Sequence, residues 1–336
     1  MGQIEFYKPT ITRKDMDSVL QTMVDEKIGP GIRRKEFVEG LCRLLSLSDG
    51  IALRSYPDAI KNAFLIADLQ PGDSIAMSVL SPRLYADVAS ECSLSVEYID
   101  IDPENCCIDL NKVRNCLAKA VIIDEPFGSI PYQRNFHETG MFIIEDVSRS
   151  MGSRFNDDAA GHQGDAVICA LEENNLISTG GGAFCGIRDG KIESQDSDDS
   201  LFRSLPDLNS SLGIVQLANL EERLARRKEI YRLFRQSLMS SGHKLFGLNS
   251  VDFDINGGYF CVLLDSKPQD VIKFGDRYQV PIRMAFSDSA GIPFLDDFDH
   301  FPCAIPYLLR AVVFPIYPFL SRNEIDSVAK VIAHLP

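Results

Sequence analysis

Apolar residues fall along this chain in short continuous runs more often than in strict alternation. Five runs stand out: Ser74–Val79, Ser95–Ile101, Ala120–Ile123, Met141–Glu145 and Ala166–Ala170. A short run that is apolar on both parities suits a strand buried on both faces. Helical or turn segments separate the runs. Asp58–Ala67, for example, places Ala59, Ile60, Ala63 and Phe64 on one face of a helix. Strands alternating with helices predict an α/β fold with a mostly parallel sheet covered on both sides. Ligands of such sheets gather at the C-terminal strand ends.

Further along, Arg188–Ser200 is polar and acidic and reads as a solvated loop without function. One long amphipathic helix is predicted over Leu212–Leu238. Leu217, Leu220, Leu224, Leu233 and Leu238 form its apolar stripe, and Glu221, Glu222, Arg226 and Arg227 its charged face. Gly242 marks its stop. Beyond residue 245 the texture shifts to a strand at Gly258–Leu264, a helix at Gln269–Tyr278 and a strand at Pro281–Ala285. A final helix begins near Ser321, with Asn323 and Glu324 in its first turn, and ends at His334. This part reads as a smaller α+β unit. No internal repeat is present.

Composition narrows the chemistry. The chain has 336 residues, 45% of them hydrophobic, enough for a large core. A net charge of -14 repels nucleic-acid phosphates and anionic lipid, so neither is an expected partner. A local basic pocket remains compatible with that charge. The nine cysteines form no C-x-x-C pair and no zinc spacing, which reads as reduced thiols of a cytoplasmic protein. The five histidines likewise lack ligand spacing, so no metal is expected. No apolar run reaches membrane-spanning length, and Phe6 stands where an N-myristoylation motif needs Ser or Thr. There is no G-x-S-x-G elbow and no Walker A loop. Gly180-Gly181-Gly182 lacks the strand–helix context of a dinucleotide fingerprint.

An ordered set of segments carries a resemblance. It comprises Ile4–Ile11, Gly29-Pro30 followed by Glu36-Phe37, Gln70–Ser74, Glu97–Pro103, Phe142–Asp146, Leu212–Leu217 with Ala225-Arg226-Arg227, and Pro302–Ile332. Taken together, these resemble the DegT/StrS family of sugar-nucleotide aminotransferases, which depend on pyridoxal phosphate (PLP). The resemblance implies the PLP-transferase fold of type I: a seven-stranded, mostly parallel sheet between helices, with a smaller C-terminal α+β domain. It divides the chain into an N-terminal segment (1–30), a large domain (31–240) and a small domain (241–336). It also implies a homodimer with its active sites at the subunit interface.

PLP chemistry needs a lysine amine to form an imine and a carboxylate on the pyridine nitrogen. It also needs donors at a helix N-terminus for the phosphate. By the resemblance, Asp146 is the carboxylate. The lysine is missing. Aligning the Thr179-Gly180 turn without a gap puts Asn175 in its place, and a gapped register puts Asn174 there. No lysine occurs anywhere from Ala120 to Gly190. Asparagine forms no imine and is no base at neutral pH.

The phosphate loop, Ser-Gly-Thr in the family, reads Ser55-Tyr56-Pro57-Asp58. Tyr56 would crowd a phosphate, Pro57 has no N–H, and Asp58 adds negative charge. An ordinary capped helix start is the plainer reading. Pro82 replaces the family's stacking aromatic, and Ala170 replaces a phosphate-binding serine. Phe202-Arg203-Ser204 stands where the family places an Asn that reaches the partner's cofactor. Arg149 replaces a Gln beside Asp146; a solvated arginine is the plainer reading, and pairing with that carboxylate the alternative.

These losses predict a homologue that does not transaminate through an internal aldimine. It would bind a sugar nucleotide, a related metabolite or an active paralogue. No covalent cofactor is expected. Two alternatives remain open: altered chemistry with non-covalent PLP or pyridoxamine phosphate, or a displaced lysine such as Lys61 or Lys191.

Overall fold

The structure is a computed structural model that describes residues 4–132, 135–192, 202–247, 250 and 252–336. Residues 193–200 of the expected acidic loop lie outside the described residues.

The apolar runs form five consecutive strands of a seven-stranded sheet, with Ser95–Ile99 at its edge. Its strand order is Asp49–Leu53, Ala183–Ile187, Ala166–Ala170, Phe142–Asp146, Ala120–Asp124, Ser74–Ser78, Ser95–Ile99. Only Ala183–Ile187 runs against its neighbours. The continuous apolar runs are explained by cover on both faces. Ile122, Ile144 and Ile168 point into one core with Ala59, Ile60 and Phe64 of the helix Tyr56–Ile66 and Tyr85 of the helix Arg83–Glu91. The alternate residues Val167 and Cys169 point into another core with Phe37 and Leu41 of the helix Ile32–Leu45, while Val121, Ile123 and Ile143 cover a third cluster.

Four antiparallel strands make a second sheet, in the order Lys244–Leu245, Phe260–Leu263, Ala311–Phe314, Arg283–Met284. Ile230, Tyr231 and Phe234 of the helix Leu220–Leu238 pack on it, with Ile325, Val328 and Ile332 of the C-terminal helix Arg322–Ala333. Ser321 and Glu324 cap that last helix reciprocally, at 3.3 and 2.7 Å.

Sequence pattern and structure part in three places. The outer strand Asp49–Leu53 and the reversed strand Ala183–Ile187 carry too many small residues to stand out as apolar runs. The expected single helix over Leu212–Leu238 is two, Asp207–Ala218 and Leu220–Leu238. They break at Asn219 (φ -105°, ψ 10°), whose amide donates back to the Val215 carbonyl. Of the expected stripe Leu220, Leu224 and Leu238 are buried, but Leu233 is exposed, and Arg227 of the expected charged face is buried. The buried helix face must therefore satisfy guanidinium groups. Arg227 donates to the Gly258 and Ile316 carbonyls, and Arg223 pairs with Asp15 at 3.1 Å.

Candidate active site

The C-terminal strand ends face a cavity of about 1130 Å³ between the two sheets. Tyr56, Pro82, Asp146, Arg149, Ala170, Asn174 and Asn175 all line it. Ser55 and Pro57 do not line it; they belong to the helix start behind Tyr56.

Asp146 ends its strand and is buried. Its Oδ1 accepts from the Ser148 N–H at 2.8 Å and from the Ser148 hydroxyl. Its Oδ2 accepts from two phenols, Tyr56 and Tyr85. The two phenol oxygens are themselves 2.7 Å apart. A carboxylate offers about four acceptor positions, and each oxygen of Asp146 already has two partners. Burial, then the charge of Asp146, pushes both phenols well above their ordinary value, so they remain proton donors.

Arg149 does not pair with Asp146. With the acceptor positions of Asp146 taken, its guanidinium lies over the Phe127 ring (5.2 Å to the centroid) and 3.7 Å from Asp288. Its carbonyl accepts from the Asn256 side chain at 2.9 Å, which fixes the backbone.

Asp124 was not singled out by sequence. It ends the neighbouring strand and pairs in register with Asp146. It is 3% exposed, and its Oδ2 has no hydrogen-bond partner among the described residues. Burial pushes its carboxyl up to about 7; Arg149 opposes this, and Asp146 and Asp288 add to it. Tyr85 and Arg227 were missed as well, although Tyr85 holds Asp146 and Arg227 lines the cavity.

The expected capped helix start is present. Ser55 caps the helix, accepting from the Asp58 N–H at 3.3 Å and donating to the Asp58 carboxylate at 2.6 Å. The helix therefore carries its own anion in its first turn. On the facing loop, Asn175 Oδ1 accepts from the Glu172 N–H at 3.0 Å and its amide reaches the Ser148 carbonyl at 3.4 Å. Asn174 is exposed on the rim.

Among the described residues, no lysine lines the cavity. Lys61 instead pairs with Glu91 at 2.7 Å, and Lys191 is exposed. No group of acidic, histidine or cysteine residues could hold a metal among the described residues. No described helix is long and apolar enough to cross a membrane. The nine cysteines are free. Burial pushes Cys42 and Cys106 up to about 11 and Cys185 up to about 12, which leaves these thiols poor nucleophiles.

Comparison with known proteins agrees with this architecture. The sequence matches the profile of the DegT/DnrJ/EryC1/StrS aminotransferase family over residues 9–196 and 202–333. It is 22% identical over 371 residues to dTDP-4-dehydro-2,3,6-trideoxy-D-glucose 4-aminotransferase of Saccharopolyspora spinosa, covering 97% of this chain and 95% of that protein. It is 21% identical over 269 residues to GDP-perosamine synthase of Caulobacter vibrioides, covering 73% of this chain and 72% of that one. The fold is similar to that of the putative sugar aminotransferase Spr1654 from Streptococcus pneumoniae in its pyridoxamine phosphate (PMP) form. There the TM-score is 0.86 at 15% identity, over 99% of this chain and 97% of that one. The GDP-4-keto-6-deoxy-D-mannose-3-dehydratase of E. coli is similar as well, with a TM-score of 0.81 at 14% identity over 97% and 98% of the two chains. From the ordered sequence segments, the type I fold and the profile match across both sheets, the chain belongs to the DegT/DnrJ/EryC1/StrS aminotransferase family.

Proposed function

We propose that this chain is a family member that does not transaminate and instead uses the cavity as a binding site, for a sugar nucleotide or a related metabolite. One observation carries the reading: a wall without lysine faces an Asp146 whose acceptor positions are taken by the chain's own hydroxyls and N–H. The residues present do not fit PLP. Nothing on the wall can form an imine with the aldehyde, Pro57 has no N–H for a phosphate, and Asp58 repels one. The remaining wall suits a larger polar ligand. Arg149, Arg227 and Arg283 offer guanidinium donors beside the acidic Glu5, Glu172, Glu173 and Asp288, and Phe6, Tyr7, Phe127 and Tyr259 supply flat faces.

The same proposal covers assembly and place. Met16, Leu20 and Met23 recur on one face of the helix Arg13–Val24 and are more than half exposed. Such a stripe supports self-association, so a homodimer is expected, with a heterodimer on an active paralogue as the alternative. A cytoplasmic location and a division of the chain at residues 30 and 240 belong to this reading too.

The test is direct. The protein is purified with excess PLP, its visible spectrum is recorded, and it is reduced with borohydride before intact-mass measurement. We expect no aldimine band and no reduced adduct. A stoichiometric adduct on any lysine, together with turnover of an amino sugar nucleotide, would overturn the proposal.

A further inference from the structure

We infer that Tyr56 is a built-in competitor of the coenzyme: its phenol holds the acceptor that a pyridinium nitrogen would need, and its helix start fills the place of the phosphate. This rests on the reading that the site forms no internal aldimine, and adds that it also rejects the coenzyme without a covalent bond.

Both ends of the coenzyme's footprint are occupied by this chain. At the ring end, the Tyr56 hydroxyl donates to Asp146 Oδ2 and lies 2.7 Å from the Tyr85 hydroxyl. Tyr85 is fully buried and meets the Tyr56 ring edge-on, with centroids 6.2 Å apart. A ring nitrogen seeking Asp146 Oδ2 meets the Tyr56 hydroxyl already bonded there, and both residues line the cavity. At the phosphate end, the Ser55 hydroxyl and the Asp58 N–H are already bonded within the loop. Tyr56 therefore supplies an aromatic ring and a hydrogen-bond donor to the same carboxylate, as a bound pyridinium would. The ring sits in a loop whose neighbours remove both the space and the donors for a phosphate. The Asp146 carboxylate, buried and costly if left alone, is satisfied with no ligand at all.

Pyridoxamine phosphate is the suitable probe, because it has no aldehyde and needs no lysine. Its binding is measured by titration calorimetry on the wild type, Tyr56→Ala, Tyr56→Phe and the double variant Tyr56→Gly/Pro57→Thr, which restores the family's Ser-Gly-Thr loop. Folding of each is checked by circular dichroism. We expect no binding to the wild type, and in Tyr56→Phe, which frees the acceptor but keeps the ring, a smaller gain than in Tyr56→Ala. We expect at least about tenfold tighter binding in Tyr56→Ala, and tighter still in the double variant, because ring volume and phosphate donors return in turn. Wild-type affinity equal to that of the folded Ala variant would overturn the inference. So would a gain in Tyr56→Phe larger than that in Tyr56→Ala, or a folded double variant that gains nothing. A borohydride adduct on the wild type would instead overturn the proposed function, so the two failures are distinguishable.

Discussion

Replacing Asp124 by asparagine should flatten the pH dependence of stability across the acid range. Asp124 is buried beside Asp146, and its Oδ2 lacks a partner among the described residues. Its carboxyl titrates at about 7 in the fold, against an ordinary value of 3.8. Between those values the unfolded chain gives up this proton and the folded chain keeps it. The folded state then holds more protons, so stability must fall as pH rises. The contribution is complete below 3.8 and is lost by about 7. At about 1.4 kcal/mol for each pH unit, the full loss is about 4 kcal/mol. Urea unfolding from about pH 4 to about pH 8, followed by circular dichroism, measures it. Subtracting the Asp124→Asn series cancels the other titrating groups. The wild-type-minus-variant difference should decline by about 4 kcal/mol and level off near neutrality. A flat difference, or one that rises with pH, would mean that Asp124 is already ionised against Arg149, and the reasoning would fail.

Other outcomes follow from the same packing. Arg223→Ala removes the cation from the buried Asp15, which keeps the donors of Thr12 and Gln216, so chemical denaturation should show a loss of about 3 kcal/mol. Phe37→Ala empties a fully buried site between the helix Ile32–Leu45 and the large sheet, and should cost about 3–5 kcal/mol in the same assay. Asn175→Lys alone should leave the protein colourless when mixed with PLP, because Tyr56 still holds Asp146; a stable visible band would count against that. Gly152→Ala combines a φ of +86° with a Cβ that would collide with Leu224, so its melting temperature should drop well below that of the wild type.

The parallel sheet was legible because its central strands are buried on both sides and leave continuous apolar runs. Asp146 and Asn175 were picked out by the family resemblance, and both line the cavity. Tyr85 was not. In a helix its periodicity announces burial, and the hydroxyl's partner lies 61 residues away. Asp124 sits one residue past the apolar run Ala120–Ile123, an acidic strand end like Asp146, and that parallel was the available signal. Arg227 reads as surface charge because sequence spacing cannot show that the second sheet's loops bring carbonyls to a buried helix face. The helix break at Asn219 was hidden because leucines continue across it.

The most direct measurement is an experimental electron-density map of the protein crystallised with excess pyridoxal phosphate, inspected beside Asp146. The account predicts the Tyr56 phenol on that carboxylate, with no phosphate density at Ser55. A pyridine ring on Asp146, with Tyr56 swung aside and the aldehyde carbon bonded to any lysine, would contradict it.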